Sequence, residues 1–292
     1  MKKIFISVWA IAVLYSCGSS KSLITADKAT IMASLDLNNV VDDQVSVSVD
    51  PGAFTQEEVF FYIPKTVPGT YSEDNYGKYV DGFKAMDYDG KELTFEKIDD
   101  NTWKINGGKS LDKVTYLVND TYDIEAEMSD KVFSPSGTNI LAGENFMLNL
   151  HGFVGYFKGL KEVPYEIQIS HPNDLKATTS LKNKVVEGAA EGVDTFLASR
   201  YFEVIDNPIQ YAKPNTETFQ INDITVTLSI YSPTGVYKAS SLRARMEEMM
   251  GAQKAFLGDI DGTKEYNILL YLSTMDGADA SGFGALEHHT ST

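Results

Sequence analysis

The sequence predicts a mainly β amino-terminal domain, an antiparallel sandwich or saddle-like sheet, followed by the beginning of an α+β domain. Three observations predict it. From about residue 29 to about residue 205, apolar residues recur with a period of two, in short runs that Gly, Pro, Asn and Asp interrupt. No part of that region carries a strong helical period. After about residue 210 a hairpin, one amphipathic helix and a dense apolar strand follow in quick succession.

The chain opens with Lys2 and Lys3, a nearly unbroken apolar run over residues 4–14, and Leu14-Tyr15-Ser16-Cys17. A charged start, an apolar middle and a small residue before a cut are the parts of a secretory signal. The run is shorter than the about 20 residues of a spanning helix. A Cys directly after Leu-x-Ser resembles a bacterial lipobox, which makes Cys17 the expected lipidation site. Residues 1–17 then form a lipoprotein signal peptide and 18–28 a polar tether rich in Ser and Lys. Lipid on Cys17 is expected to anchor the exported chain to a membrane, the outer membrane or cell surface, without spanning it.

The expected β domain covers residues 29–210. Val45, Val47 and Val49 alternate with Gln44, Ser46 and Ser48, as in a half-buried strand, and Pro51-Gly52 stops it. A denser strand follows over residues 59–63. Asp89-Gly90 separates strands over 79–88 and 93–98, and Asn106-Gly107 separates Trp103 and Ile105 from Val114, Tyr116 and Val118; both dipeptides signal tight hairpins. Further strands are expected at 165–169, 195–198 and 201–205. Between them Phe133-Ser134-Pro135-Ser136-Gly137 opens a loop. Residues 146–157 then gather aromatics around Gly152 and Gly155, a buried turn of close backbone approach.

The second region, residues 211–292, begins with a hairpin turning at Asn222-Asp223. Residues 238–257 form the one persuasive helix, with Leu242, Met246, Met249, Met250, Gln253, Phe256 and Leu257 near one face and Gly258 at its cap. Its methionines are expected to fill core. Residues 266–272 read as a strand buried on both faces. The last dozen residues show no closing helix, so the chain reads as truncated within this domain.

Composition removes several function classes. A formal net charge of −16 repels phosphate backbones, so nucleic acid is not an expected partner. Cys17 is the only cysteine, and once acylated it leaves no thiol for catalysis, metal binding or a disulfide. The four histidines are His151, His171, His288 and His289. No HExxH, GxSxG or GxGxxG motif is present, and no metal ligands are assigned in this chain. His171 is expected at the surface and His151 in the core. His288 and His289 are expected on opposite faces of a strand, where they could not share an ion. Asp259, Asp261 and Gly262 lack the remaining positions of a calcium loop and read as a turn.

The remaining candidate is Gly284-Ala285-Leu286-Glu287-His288. A small-residue edge of this kind lets an extended peptide approach and pair. A carboxylate at its end can hold a free amino terminus by charge-assisted hydrogen bonds. Gly282-Phe283-Gly284-Ala285-Leu286-Glu287-His288, with Thr290-Ser291-Thr292 behind it, resembles the GGLEH segment of glycyl aminopeptidase-type zinc metallopeptidases. Asp206-Asn207-Pro208-Ile209 is similar to the close of that family's β domain.

The resemblance implies an N-terminal β domain, the start of a thermolysin-like catalytic domain, and usually a PDZ domain beyond. It implies zinc in the full-length protein and removal of N-terminal Gly or Ala from a peptide substrate. Gly284, Ala285 and Leu286 would line that peptide and Glu287 would hold its amino group. The zinc ligands would follow Thr292, so no catalytic residue is expected in this chain and the piece itself should be inactive. His289 stands where Arg is common in the family. The alternative is a non-catalytic β-sandwich surface lipoprotein that binds peptide or glycan.

Overall fold

The computed structural model describes residues 30–124, 132–188, 190–259, 262–273 and 284–292. The predicted signal and tether, Cys17, Asp261, Gly282 and Phe283 lie outside the described residues.

Alternation sets the largest sheet. Val45, Val47 and Val49 are buried while their strand neighbours are half-exposed, so Gln44–Asp50 turns one face to the core. It is one of eight strands, ordered Lys182–Asn183, Val193–Ala198, Tyr165–Ser170, Ile31–Val41, Gln44–Asp50, Leu111–Asn119, Val80–Asp87 and Glu92–Leu93. Its pairings are antiparallel except that of Ile31–Val41 with Tyr165–Ser170, which is parallel. A four-stranded sheet, ordered Tyr156–Phe157, Glu58–Tyr62, Thr102–Asn106 and Phe95–Asp99, covers its apolar face. Aromatic rings join the two: Phe61 lies 5.7 Å from Tyr116, and Phe83 stacks on Trp103 at 4.9 Å. This is the expected sandwich, mainly β, and a third sheet of four short strands adjoins it.

Two hairpin expectations change in detail. Asp89-Gly90 does turn the chain, with Gly90 at φ +77° and the Asp87 carboxylate accepting the Asp89 and Lys91 amides. The strand expected after it is divided, however: Glu92–Leu93 stays in the large sheet and Phe95–Asp99 crosses to the facing one. Asn106-Gly107 is not a hairpin turn. The amides of Gly107 and Gly108 both donate to the Glu57 carbonyl, and Leu111–Asn119 then continues in the opposite sheet.

Residues 201–205, expected as a strand, form the short helix Tyr201–Ile205. The Glu203 carboxylate accepts the Ser199 backbone N–H at 2.6 Å and its hydroxyl at 2.7 Å, tying the first turn to the residue that precedes the cap position. Tyr201 and Val204, three apart, bury its inner face.

In the aromatic segment, a Cβ on Gly155 would meet Phe61 Cζ at 2.2 Å and the Tyr62 carbonyl at 2.5 Å, the close approach that the glycine allows. His151 is buried there, its Nε2 2.8 Å from the Ser136 carbonyl. His171 is also buried, contrary to expectation. Its Nε2 lies 3.2 Å from Asp194 Oδ2, which also accepts the Tyr211 hydroxyl. A proline-flanked strand end looks exposed in sequence, but Tyr211 packs against the ring at 4.8 Å.

The second region carries its own cluster of buried residues, Phe219, Ile221, Val226, Leu228, Ile230, Ala239 and Ile268. Thr216–Ile221 and Ile224–Tyr231 form the expected hairpin. The helix Ala239–Leu257 then leads to Glu265–Tyr271, which pairs in parallel with Ile224–Tyr231. Gly258 closes the helix at φ +66°. Its apolar stripe is only half used as core. Leu242, Met246 and Met250 pack on the cluster, whereas Met249 and Leu257 are about half exposed and Phe256 is 90 % exposed.

Candidate functional site

The candidate segment follows the strand Glu265–Tyr271 in sequence and returns beside it. Asn267 N–H donates to the Thr290 carbonyl at 3.0 Å, Thr292 N–H to Asn267 O at 3.0 Å, and Leu269 N–H to Thr292 O at 2.8 Å. Residues 290–292 thus pair with the strand in parallel. Residues 284–288 carry no regular secondary structure. A tight bend joins the two parts, with His288 N–H donating to Ser291 O and the Thr292 hydroxyl to Leu286 O.

Each residue of the motif has a distinct environment. Gly284 is crowded on one side, since a Cβ there would meet Pro135 Cγ at 2.7 Å and Phe133 Cε2 at 3.4 Å. Ala285 is exposed. Leu286 is buried, against Gly69. Glu287 is exposed and stands where two clefts meet. One, of 190 Å³, is bounded by Val67, Pro68, Phe202 and Asp206. The other, of 620 Å³, is bounded by Ile224, Met250, Phe256 and Tyr266. Gly284, Ala285 and Leu286 line a third cleft of 180 Å³ with Pro135, Met147 and Asn149. Gly284 and Ala285 thus lie on one side of a buried leucine and Glu287 on the other.

The charged groups around Glu287 are closely arranged. His288 Nδ1 lies 3.5 Å from Asp206 Oδ1 and His289 Nδ1 3.0 Å from Asp206 Oδ2. Burial opposes ionisation of Asp206, but the two imidazole contacts outweigh it and hold the carboxyl below its ordinary value. Tyr266 is pushed up by burial and by the Glu287 charge. Burial lowers His151 to about 4, with His288 adding to the effect. The two adjacent histidines do not point apart as a strand would place them. They sit on a bend and converge on one acid. Among the described residues, no group of three His, Cys, Asp or Glu is placed to hold a metal ion.

Sequence reasoning missed Asp206, Gly69 and Tyr266 as parts of this site. Asp206-Asn207-Pro208 was visible as a motif, yet nothing in its spacing announced contact with residues more than eighty positions on.

Residues 33–213 match the peptidase M61 N-terminal domain. The chain belongs to that family. The M61 match covers the sandwich and ends before the second cluster of buried residues begins at Phe219. Among solved structures, an aminopeptidase N family protein from Idiomarina loihiensis superposes with a TM-score of 0.71 at 21% identity, over 89% of this chain and 41% of that one. This M61-family chain thus shares that protein's fold and spans well under half its length. A variant of the M1 zinc metallopeptidase from Deinococcus radiodurans gives a TM-score of 0.45 at 10% identity, over 82% of this chain and 55% of that one. No curated protein matches in sequence.

Proposed function

We propose that this chain is the front portion of an exported, lipid-anchored metallo-aminopeptidase that removes N-terminal Gly or Ala from peptides. The observation that carries the reading is the exposed Glu287 carboxylate at the meeting of two clefts, joined to an M61-family sandwich. A carboxylate so placed accepts charge-assisted hydrogen bonds from a peptide's leading ammonium group. The backbone of Gly284, Ala285 and Leu286 runs beside it along the 180 Å³ cleft, where an extended peptide can lie. In this reading the zinc ligands follow Thr292, a PDZ domain follows them, and Cys17 carries the lipid. The chain alone is then inactive.

The test uses the protein encoded by the uninterrupted reading frame. Release of p-nitroaniline from glycyl and alanyl p-nitroanilides is expected, with loss on chelation and recovery on added zinc. Glu287→Gln should lower kcat/KM about 100-fold or more, since a charge-assisted contact to the substrate's ammonium group is removed. A reading frame without an HExxH motif within the next hundred or so residues would overturn the assignment. Labelling with radioactive palmitate, lost in Cys17→Ser, tests the anchor separately.

A further inference from the structure

We propose that Asp206 is a positioning residue for Glu287, holding the segment that carries it by gripping the two residues that follow. The inference rests on the reading of Glu287 as the amine-binding carboxylate.

Asp206 ends the short helix Tyr201–Ile205, and its backbone N–H donates to the Phe202 carbonyl at 3.0 Å. Its carboxylate is thereby fixed to a packed element, with only 14 % of the side chain exposed. One oxygen faces His288 and the other His289. The next residue continues the hold: Asn207 Oδ1 accepts the Thr290 hydroxyl at 3.0 Å, while its amide donates to Glu203 O at 2.8 Å. Two consecutive residues of the sandwich therefore hold three consecutive residues of the candidate segment. On the other side of Glu287, Leu286 is pinned beneath Gly69. Glu287 lies between two anchors.

The arrangement also orders the charges. Asp206 and Glu287 bound the same 190 Å³ cleft, and like charges there repel unless one is compensated. Both Asp206 oxygens meet imidazole nitrogens, which leaves Glu287 as the acid turned outward. Other charged or titratable groups near the pair include Tyr266, which feels the Glu287 charge, His151, whose protonation His288 disfavours, and Arg200, which lies over the Phe202 ring at 5.2 Å. Phe202 in turn meets the His289 ring edge-on at 5.3 Å and holds it toward Asp206. A permanent cation at position 289 would meet the same Asp206 oxygen, so an arginine there should serve the same grip.

The experiment compares the protein from the whole reading frame with its Asp206→Ala, Asp206→Asn, His289→Ala and His289→Arg variants. Asp206→Ala is expected to raise KM for glycyl and alanyl p-nitroanilides about tenfold with kcat changed less than about twofold. It should also speed amide exchange across residues 284–292 while exchange in Gln44–Asp50 stays unchanged. Asp206→Asn, close in shape, guards against misfolding and should show the same effects at smaller size. His289→Ala should raise KM and His289→Arg should not. An unchanged KM in Asp206→Ala, with the parent protein active, overturns the positioning role alone. Unchanged exchange across 284–292 overturns it as well. If the parent protein is inactive yet Asp206→Ala still loosens 284–292, the grip is supported and the aminopeptidase reading is what fails.

Discussion

Leu286 lies beneath Gly69: a Cβ on that glycine would come within 2.9 Å of Leu286 Cδ1, and the glycine holds φ at +93°. A loop of the sandwich and the candidate segment, more than two hundred residues apart, meet there backbone to side chain. The contact sets the depth at which Leu286 seats, and through it the height of Glu287 above the clefts.

Gly69→Ala tests that contact. The positive φ alone should cost about 1–2 kcal/mol, as it should in Gly90→Ala, whose φ is +77° with open space around it. Leu286 can swing its terminal methyl aside, so the extra stability cost is small. The distinguishing outcome is faster amide exchange across 284–288 in Gly69→Ala and none in Gly90→Ala, with urea denaturation reporting similar losses for both.

Glu287 separates function from stability. It is exposed, so Glu287→Gln should change unfolding free energy by no more than about 0.5 kcal/mol. Leu286→Ala, which empties a buried site, should cost about 2 kcal/mol or more. Equal losses in the two variants, read from denaturant midpoints, would show that Glu287 is structural.

His151 gives the fold an acid-side limit. Its pKa falls from 6.5 in an unfolded chain to about 4, chiefly through burial. Between those values the unfolded chain binds the proton and the folded protein does not, so stability is full above about pH 6.5 and falls as pH drops toward 4. The shift corresponds to roughly 3 kcal/mol lost by pH 4. His151→Gln should flatten that part of the stability profile, measured by urea melts at half-unit steps. Asp206 acts at lower pH: its depressed pKa contributes stability above 3.8 that disappears as pH falls through its folded value.

Gly155 guards the join between the sheets. A methyl there meets the Tyr62 carbonyl, which is held in place by pairing of Tyr62 with both Tyr156 and Thr102. Gly155→Ala should therefore cost about 3 kcal/mol or more, since neither strand can yield without losing hydrogen bonds. Gly143→Ala, with φ +74° and nothing nearby, should cost about 1 kcal/mol. Thermal melting of the pair checks the difference.

Elements whose signal is local were legible. The strand Gln44–Asp50 follows from alternating valines, and the helix Ala239–Leu257 from a sustained apolar stripe with a glycine at its end. Signals that two interpretations share were not. Asn106-Gly107 supplies a positive φ, which serves a tight hairpin and a crossing between sheets equally; the Glu57 carbonyl decided for the crossing. Tyr201–Ile205 alternates well enough for a strand, but burial of Tyr201 and Val204 on one face and the Glu203–Ser199 contacts favour a helical turn. His171 looked exposed beside a proline because sequence does not register that Asp194 and Tyr211 come to meet it.

The residues around Glu287 divide in the same way. Sequence alone marked Gly284, Ala285, Leu286 and Glu287, because composition and order within a short segment are local facts. Only the folded chain brought Gly69, Asp206 and Tyr266 to them, because burial is cooperative and unites side chains that share no sequence neighbourhood. Periodicity determined which faces are apolar. Which apolar faces meet, and therefore where a carboxylate ends up between two clefts, was decided by packing.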